Sequence, residues 1–282
     1  MSLPVKLSSP ATKEFWEIPV LFEDEHLFAL DKPSGLQLTP DADQPEQPSL
    51  LALLHAAIAA GKPWAKERDL AYLNQAHRLD FETSGVLLLA KTKPAFVALA
   101  DLFGVEKPAR KYLTLAWGNP PAKNFAVDAK LAPHPIRAGH MRVDPDNGKR
   151  AHTDFEVLEQ FSDWCLLRCS PVTERVHQVR IHLKHAGFPI VGDELYGGKK
   201  LWLSRIKKDF RLKEGREERP LFARSALHLE ELVFPHPVTH EALTIKSEWP
   251  KDFKVAVKYL RQYATGPSRR GHQDEETEFE QK

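Results

Sequence analysis

His77–Ala90, HRLDFETSGVLLLA, sets the terms for the rest of the chain. The apolar run Val86–Ala90 is short and bounded by turn residues, so it reads as a buried strand. Ahead of it come a hydroxyl turn, Thr83-Ser84-Gly85, and the polar set His77, Arg78 and Asp80. A carboxylate just before a buried strand is held by rigid structure yet stays open to a ligand. Arg78, two residues away, is a cation that could meet a phosphate or a base. A plainer reading is also open at this point, with Asp80 capping a turn and Arg78 a surface cation.

The remaining patterns supply a sheet around that strand. Val20–Asp31 has two apolar patches split by Glu23-Asp24-Glu25 and reads as a β-hairpin. Lys32-Pro33-Ser34-Gly35-Leu36 follows as a turn, with Pro and Gly placed for type II geometry. Pro40–Pro48 is polar and Pro-rich, a mobile loop. Leu50–Ala60 has helical spacing, with Ser49 as N-cap and Gly61 just past its end. Thr92 caps a second helix that has Pro94 in its first turn. Arg110–Trp117 alternates, with Tyr112, Thr114 and Ala116 on one face.

Leu131–Arg150 holds short extended pieces around the turn Asp146-Asn147-Gly148. Arg137, His140, Arg142, Lys149 and Arg150 make it basic. Thr153–Leu158 and Trp164–Cys169 read as strands. Val176, Val179, Leu183 and Ala186 mark one face of a helix, which puts His177, Arg180 and Lys184 on the other. Lys199–Arg224 has ten Lys/Arg against four Asp/Glu, with apolar residues interleaved. It fits either a solvated amphipathic helix or an RNA-backbone surface. Phe253–Tyr263 reads as a helix. Many strands with few intervening helices argue for an α+β fold, a mostly antiparallel mixed sheet flanked by helices and loops. Residues 1–19 read as a leader, 20–264 as one domain, and 265–282 as a disordered acidic tail.

Charge and cysteine content narrow the function classes. A net charge of +1 over 282 residues is not that of a polycation, so any nucleic-acid site needs a local basic surface. The two cysteines, Cys165 and Cys169, read as reduced thiols, and no Cys/His set has zinc spacing. No stretch has the length of a membrane span and the N-terminus lacks a signal-peptide pattern, so a cytoplasmic protein is expected. No GxGxxG follows a strand and no Walker loop occurs, so no nucleotide cofactor is expected.

Several motifs carry a resemblance. HRLDFETSGVLLLAKT closely resembles the catalytic motif of the RluA-type pseudouridine synthases, HRLDxxTSG followed by an apolar strand. KPSGL at 32–36, the Lys111-Tyr112 pair, and Pro171–Gly197 fit further elements. The last resembles the family's TGRxHQxRxH followed by GxPIxGDxxYG. The resemblance implies that Asp80 is the essential catalytic residue, that Tyr112 stacks on the target base, and that Arg180 pairs with Asp80. It implies contacts to RNA from Lys32, His77, Arg78, Arg175 and His177. Glu174 departs from the pattern, which has Gly there. Gly permits positive φ and Glu tolerates it poorly, so the turn is expected to differ. Many members carry an N-terminal RNA-binding domain. Here the match begins near residue 20, so a stand-alone catalytic domain is expected.

The implied reaction turns uridine into pseudouridine in structured RNA, ribosomal or transfer. It is redox-neutral and needs no cofactor or metal. It needs a carboxylate to attack the anomeric carbon or remove a ribose proton, and a base drawn out of its stack. A monomer is expected. The alternative is an RNA-binding module that keeps the fold without chemistry. An acid/base glycosidase would need a second carboxylate, and none pairs with Asp80 in sequence.

Overall fold

A computed structural model describes residues 3–41, 44, 46–105 and 107–265. In chain order, β1 (Val5–Ser8) and β2 (Phe15–Ile18) pair with each other, and the hairpin β3 (Val20–Glu23) and β4 (Leu27–Lys32) follows. Helix α1 (Leu50–Ala59), the single turn α2 (Pro63–Lys66) and β5 (Asn74–Gln75) lead to β6 (Ser84–Ala90). After α3 (Lys93–Val105) come β7 (Ala109–Trp117) and β8 (Asn124–Asp128), then a ribbon of β9 (Leu131–Pro133) and β10 (Met141–Val143). The long pair β11 (His152–Gln160) and β12 (Trp164–Pro171) precedes α4 (Gln178–His185), a 3-10 turn at Glu194–Tyr196 and the single turn α5 (Leu203–Ile206). The chain closes with β13 (Leu227–Pro235), β14 (Ala242–Lys246) and α6 (Lys251–Tyr263).

Ten of these strands share one mixed sheet, ordered β3-β4-β6-β13-β7-β12-β11-β8, with β5 on β6 and β14 on β13. Its pairs are antiparallel except β6 with β13. This is the mostly antiparallel α+β sheet that the sequence implies. All seven residues of β6 are buried, as an unbroken apolar run requires. Gly85 has φ +115, and a Cβ there would lie 2.2 Å from the Leu229 carbonyl oxygen. The glycine of the Thr-Ser-Gly turn therefore lets β13 run beside β6.

Helices form where the sequence spaces its apolar residues for one face. α1 buries Leu50, Leu51, Leu54 and Ala57, and Gly61 follows it at φ +62. Ser49 sits at the N-cap of α1, but its side chain makes no cap bond. At α3, Thr92 does cap, accepting from the Ala95 N–H at 3.2 Å. Two large apolar clusters result, beside a small third one of Leu131, Ala151, Ile181 and Tyr196. One gathers Phe28, Leu30, Leu54, Leu88 and Leu99, the other Leu113, Leu167, Leu183, Phe222 and Phe253. Tyr112 packs against both, so it lies on the seam between them.

The structure departs from the sequence reading in three places. Residues 5–18, expected to be part of a leader, form the β1–β2 hairpin, and Val5, Leu7 and Ile18 join the core. Four-residue strands are too short to show a clear period. The stretch 199–224 is not an amphipathic helix. Only Leu203–Ile206 is helical, and Leu201, Ile206 and Phe222 tack an irregular chain to the core. Helix α4 is enclosed all round from Gln178 to Leu183, and Val176 lies ahead of it, exposed. Arg180 is therefore not on a solvated face.

Both cysteines are free and buried, and burial pushes the Cys165 thiol up to about 12. Among the described residues no helix is long and apolar enough to cross a membrane. The acidic tail beyond 265 and residues 42, 43 and 45 of the polar loop lie outside the described residues.

Candidate active site

The turn between Leu79 and β6 is fastened from below. The Thr83 N–H closes it on the Asp80 carbonyl at 3.1 Å. The Lys32 ammonium reaches the carbonyls of Pro33, Asp80, Phe81 and Thr83 at 3.0–3.4 Å. Arg224 Nη1 donates to the Glu82 carbonyl at 3.1 Å, and Nη2 donates to the Ser84 hydroxyl at 3.2 Å. Each carbonyl from residue 80 to residue 83 thus meets a cationic donor, which fixes the backbone that carries Asp80. Lys32 is fully enclosed, and burial pushes its ammonium down to about 7, against the pull of Asp80. His77 is enclosed too. Its Nε2 accepts the Leu88 N–H at 3.2 Å, and burial, with Arg110 nearby, pushes it down to about 3.

Above this turn, α4 supplies the partner of Asp80. Arg180 Nη1 donates to Asp80 Oδ2 at 3.2 Å. Its Nε and Nη2 grip Asp193 at 2.7 and 2.8 Å, a bidentate fork onto a carboxylate 1% exposed. Burial works against the guanidinium, but Asp193, with Asp80 behind it, holds it above its ordinary range. The ring of Tyr196 lies under it at 4.9 Å. Gly192 puts Asp193 in place at φ +76, where a Cβ would meet the Arg224 carbonyl at 2.0 Å.

His177 precedes α4 at φ 54, in the left-handed region. Its Nδ1 lies 2.7 Å from the Tyr196 hydroxyl, whose oxygen accepts the Met141 N–H at 3.1 Å. His177 Nε2 lies 3.7 Å from Asp80 Oδ2. Burial lowers His177, with Asp80 opposing and Arg180 and Arg78 adding to the fall.

Two cavities meet at Asp80. One, of about 320 Å³, is lined by Tyr112, Leu79, Val179 and Leu227 together with Asp80 and Arg180. The other, of about 530 Å³, is more polar, with Gln37, Thr39, Gln75 and Glu194 on its walls. Asp80, Arg78, His177 and Arg180 border both. Both volumes are in the range of small-molecule sites. Arg78 is exposed at the shared mouth. Burial raises the Tyr112 phenol well above its ordinary value, with Arg110 opposing and Glu174 and Asp80 adding to the rise.

Asp80, Tyr112, Arg180, Arg78, Arg175 and His177 thus converge on one place. Lys32 and His77 do not reach it as RNA contacts. Both are corrections: Lys32 Nζ is engaged by backbone carbonyls, and His77 is enclosed with Nε2 on the Leu88 N–H. Lys111, read as a pair with Tyr112, points to the opposite face and bridges Glu231 at 2.7 Å. Arg110 takes the place beside Tyr112, as strand alternation would have shown. Glu174 does not adopt positive φ, so the missing glycine does not strain the turn. Asp193 and Tyr196 were missed as site residues, although both stand in the GDELYG segment.

The sequence profile of the RNA pseudouridylate synthase family matches residues 26–185, more than half of the chain. The chain belongs to the RNA pseudouridylate synthase family. It is 32% identical over 262 residues to a ribosomal large subunit pseudouridine synthase D of Zymomonas mobilis, across 92% of this chain and 78% of that protein. It is 36% identical over 246 residues to the protein of the same name from Xanthomonas campestris, across 86% of this chain and 69% of the relative. Two human structures, RNA pseudouridylate synthase domain containing 1 and 4, share the fold. They superpose with TM-scores of 0.64 and 0.66 at 21% and 24% identity, over 90% and 88% of this chain and 91% and 94% of theirs. The chain is an RNA pseudouridine synthase, an isomerase.

Proposed function

We propose that Asp80 is the carboxylate that drives the isomerisation, and that the target uridine lies in large-subunit ribosomal RNA. The substrate follows the name shared by the relatives from Zymomonas mobilis and Xanthomonas campestris. One observation carries the site assignment. Asp80 Oδ2, held by Arg180, stands on the wall between an apolar cavity that contains Tyr112 and a polar cavity open at Arg78.

The reaction breaks the N1–C1′ bond and forms C5–C1′, while a proton leaves C5 and another reaches N1. No electrons are gained or lost. The apolar cavity takes the extruded base against Tyr112, and the polar cavity takes the flanking nucleotide. Asp80 then faces the ribose, where it attacks C1′ or removes the 2′ proton. Arg180 aims the carboxylate, and Asp193 fixes Arg180. Arg78 and Arg175 meet the RNA at the mouth. The enzyme acts as a cytoplasmic monomer without a cofactor.

Tritium release from a large-subunit ribosomal RNA transcript carrying [5-³H]uridine tests this, because the C5 proton must leave. The wild type releases tritium, and Asp80→Asn lowers the rate by about 10³-fold or more. An RNA-binding module without chemistry would release none, and equal release by the variant would remove Asp80 from its role.

A further inference from the structure

Glu174 introduces a second carboxylate into the base cavity, where the family pattern has glycine. It is held there by an unusual partner. Arg110 on β7 has a side chain only 4% exposed, and its Nη1 lies 2.9 Å from Glu174 Oε2. Its Nη2 is buried without a partner. A guanidinium so enclosed is not offered to RNA. It serves as an anchor, and burying it costs desolvation that only a fixed counter-charge offsets. The Glu174 side chain itself is 43% exposed, so a ligand in the cavity can reach it. The Arg175 guanidinium also donates to the Glu174 carbonyl, at 2.7 Å. One carboxylate oxygen is thus paired, and Glu174 lines the same cavity as Tyr112.

Uracil offers that oxygen one hydrogen-bond donor on its ring, N3–H. Its other polar atoms, O2 and O4, are acceptors and would be repelled. The geometry of the reaction makes N3 special. When the base leaves N1 and rebonds through C5, a half-turn about the C6···N3 axis exchanges N1 with C5 and O2 with O4. N3–H stays where it was. A carboxylate on N3–H therefore keeps the same bond before, during and after the turn, while the contacts to the ring face and to O2 and O4 are remade.

We propose that Glu174, anchored by Arg110, accepts the N3–H of the target uracil and acts as the pivot on which the freed base turns. The same contact selects uracil over cytosine, whose N3 carries a lone pair in place of a proton and so faces the carboxylate with like charge. This inference rests on the assignment of the Tyr112 cavity to the base.

The test uses the full chain and two readouts. The first is tritium release from the [5-³H]uridine-labelled large-subunit ribosomal RNA transcript by wild type, Glu174→Gln and Glu174→Gly. Glu174→Gly should lower kcat/KM about 10-fold or more, since the lost bond holds the base both in the bound state and through the turn. Glu174→Gln keeps an oxygen for N3–H and should stay within about 5-fold of wild type. The second readout is equilibrium binding of stem-loops that carry uridine, cytidine or 3-methyluridine at the position modified by the wild type. It is made on an Asp80→Asn background so that none is turned over. With Glu174 intact, uridine should be preferred about 10-fold over both others. Glu174→Gln should lose the preference over cytidine, because its amide N–H can donate to cytosine N3. A uridine preference that is the same with Glu, Gln or Gly at 174 overturns the inference while leaving the pseudouridine synthase assignment intact. A wild type that releases no tritium overturns the assignment of the substrate instead.

Discussion

Below Asp80, Lys32 and His77 are enclosed, with Lys32 Nζ and His77 Nε2 on backbone; above it, Arg78 is exposed and borders both cavities. All three belong to short motifs whose residues would be read as a basic cluster for RNA. The floor uses its cations to clamp carbonyls, so that the carboxylate stands on a fixed turn. The rim leaves its cation exposed, which the proposed function uses to meet RNA. Arg180 belongs to the floor by burial and to the chemistry by contact, with Asp193 on one side and Asp80 on the other. A basic residue near a reacting carboxylate thus says little about RNA until its burial is known.

If this division is right, floor variants should cost stability and rim variants should cost only affinity. The largest effect is expected at Arg180. Arg180→Met leaves Asp193 buried without a counter-charge and should lower the unfolding free energy by about 3–5 kcal/mol in urea titration. Arg180→Lys keeps the charge but loses the fork, so tritium release should fall steeply even where the protein stays folded.

His77 should show as a pH dependence. It is neutral in the fold, pushed down to about 3, whereas in the unfolded chain it titrates near 6.5. The unfolded state therefore binds the extra proton between these values. Its stabilising contribution is complete above 6.5 and is lost as pH falls toward 3, at about 1.4 kcal/mol per pH unit. Between pH 7 and 5 the wild type should lose about 2 kcal/mol more than His77→Gln, whose amide oxygen can still accept the Leu88 N–H. Equal losses would place His77 outside the buried frame.

At the rim, Arg78→Ala should weaken RNA binding about 10-fold at low salt and flatten the salt slope by about one ion. Its unfolding free energy should stay within about 0.5 kcal/mol of wild type. The smallest effect is expected from Arg211→Glu with Lys213→Glu, two exposed charges in the irregular basic stretch. Binding should fall about 3-fold with the fold unchanged. Unchanged affinity would take that stretch out of the RNA surface.

The sheet was legible because its strands carry their signal locally. Val86–Ala90 is apolar without a break, and the Val20–Asp31 hairpin and the helix caps at Thr92 and Gly61 follow from residue type alone. β1 and β2 were not legible, since four residues give no period. Burial of cations was invisible for a different reason. Lys32 and His77 become internal only because β4, the turn at 80–83 and β6 come together from distant parts of the chain. The coarse set of Asp80, Tyr112 and Arg180 came through the motifs. Asp193 and Tyr196 were present in the quoted GDELYG segment, but their roles depend on a fork and a ring contact that spacing does not encode.

The central claim is that Asp80 isomerises uridine in ribosomal RNA. Pseudouridine mapping of total RNA tests it most directly, comparing a strain lacking this protein with strains rescued by wild type or by Asp80→Asn. The account predicts sites in large-subunit ribosomal RNA that vanish in the deletion and return only with the wild type. Sites that return equally with Asp80→Asn would contradict it.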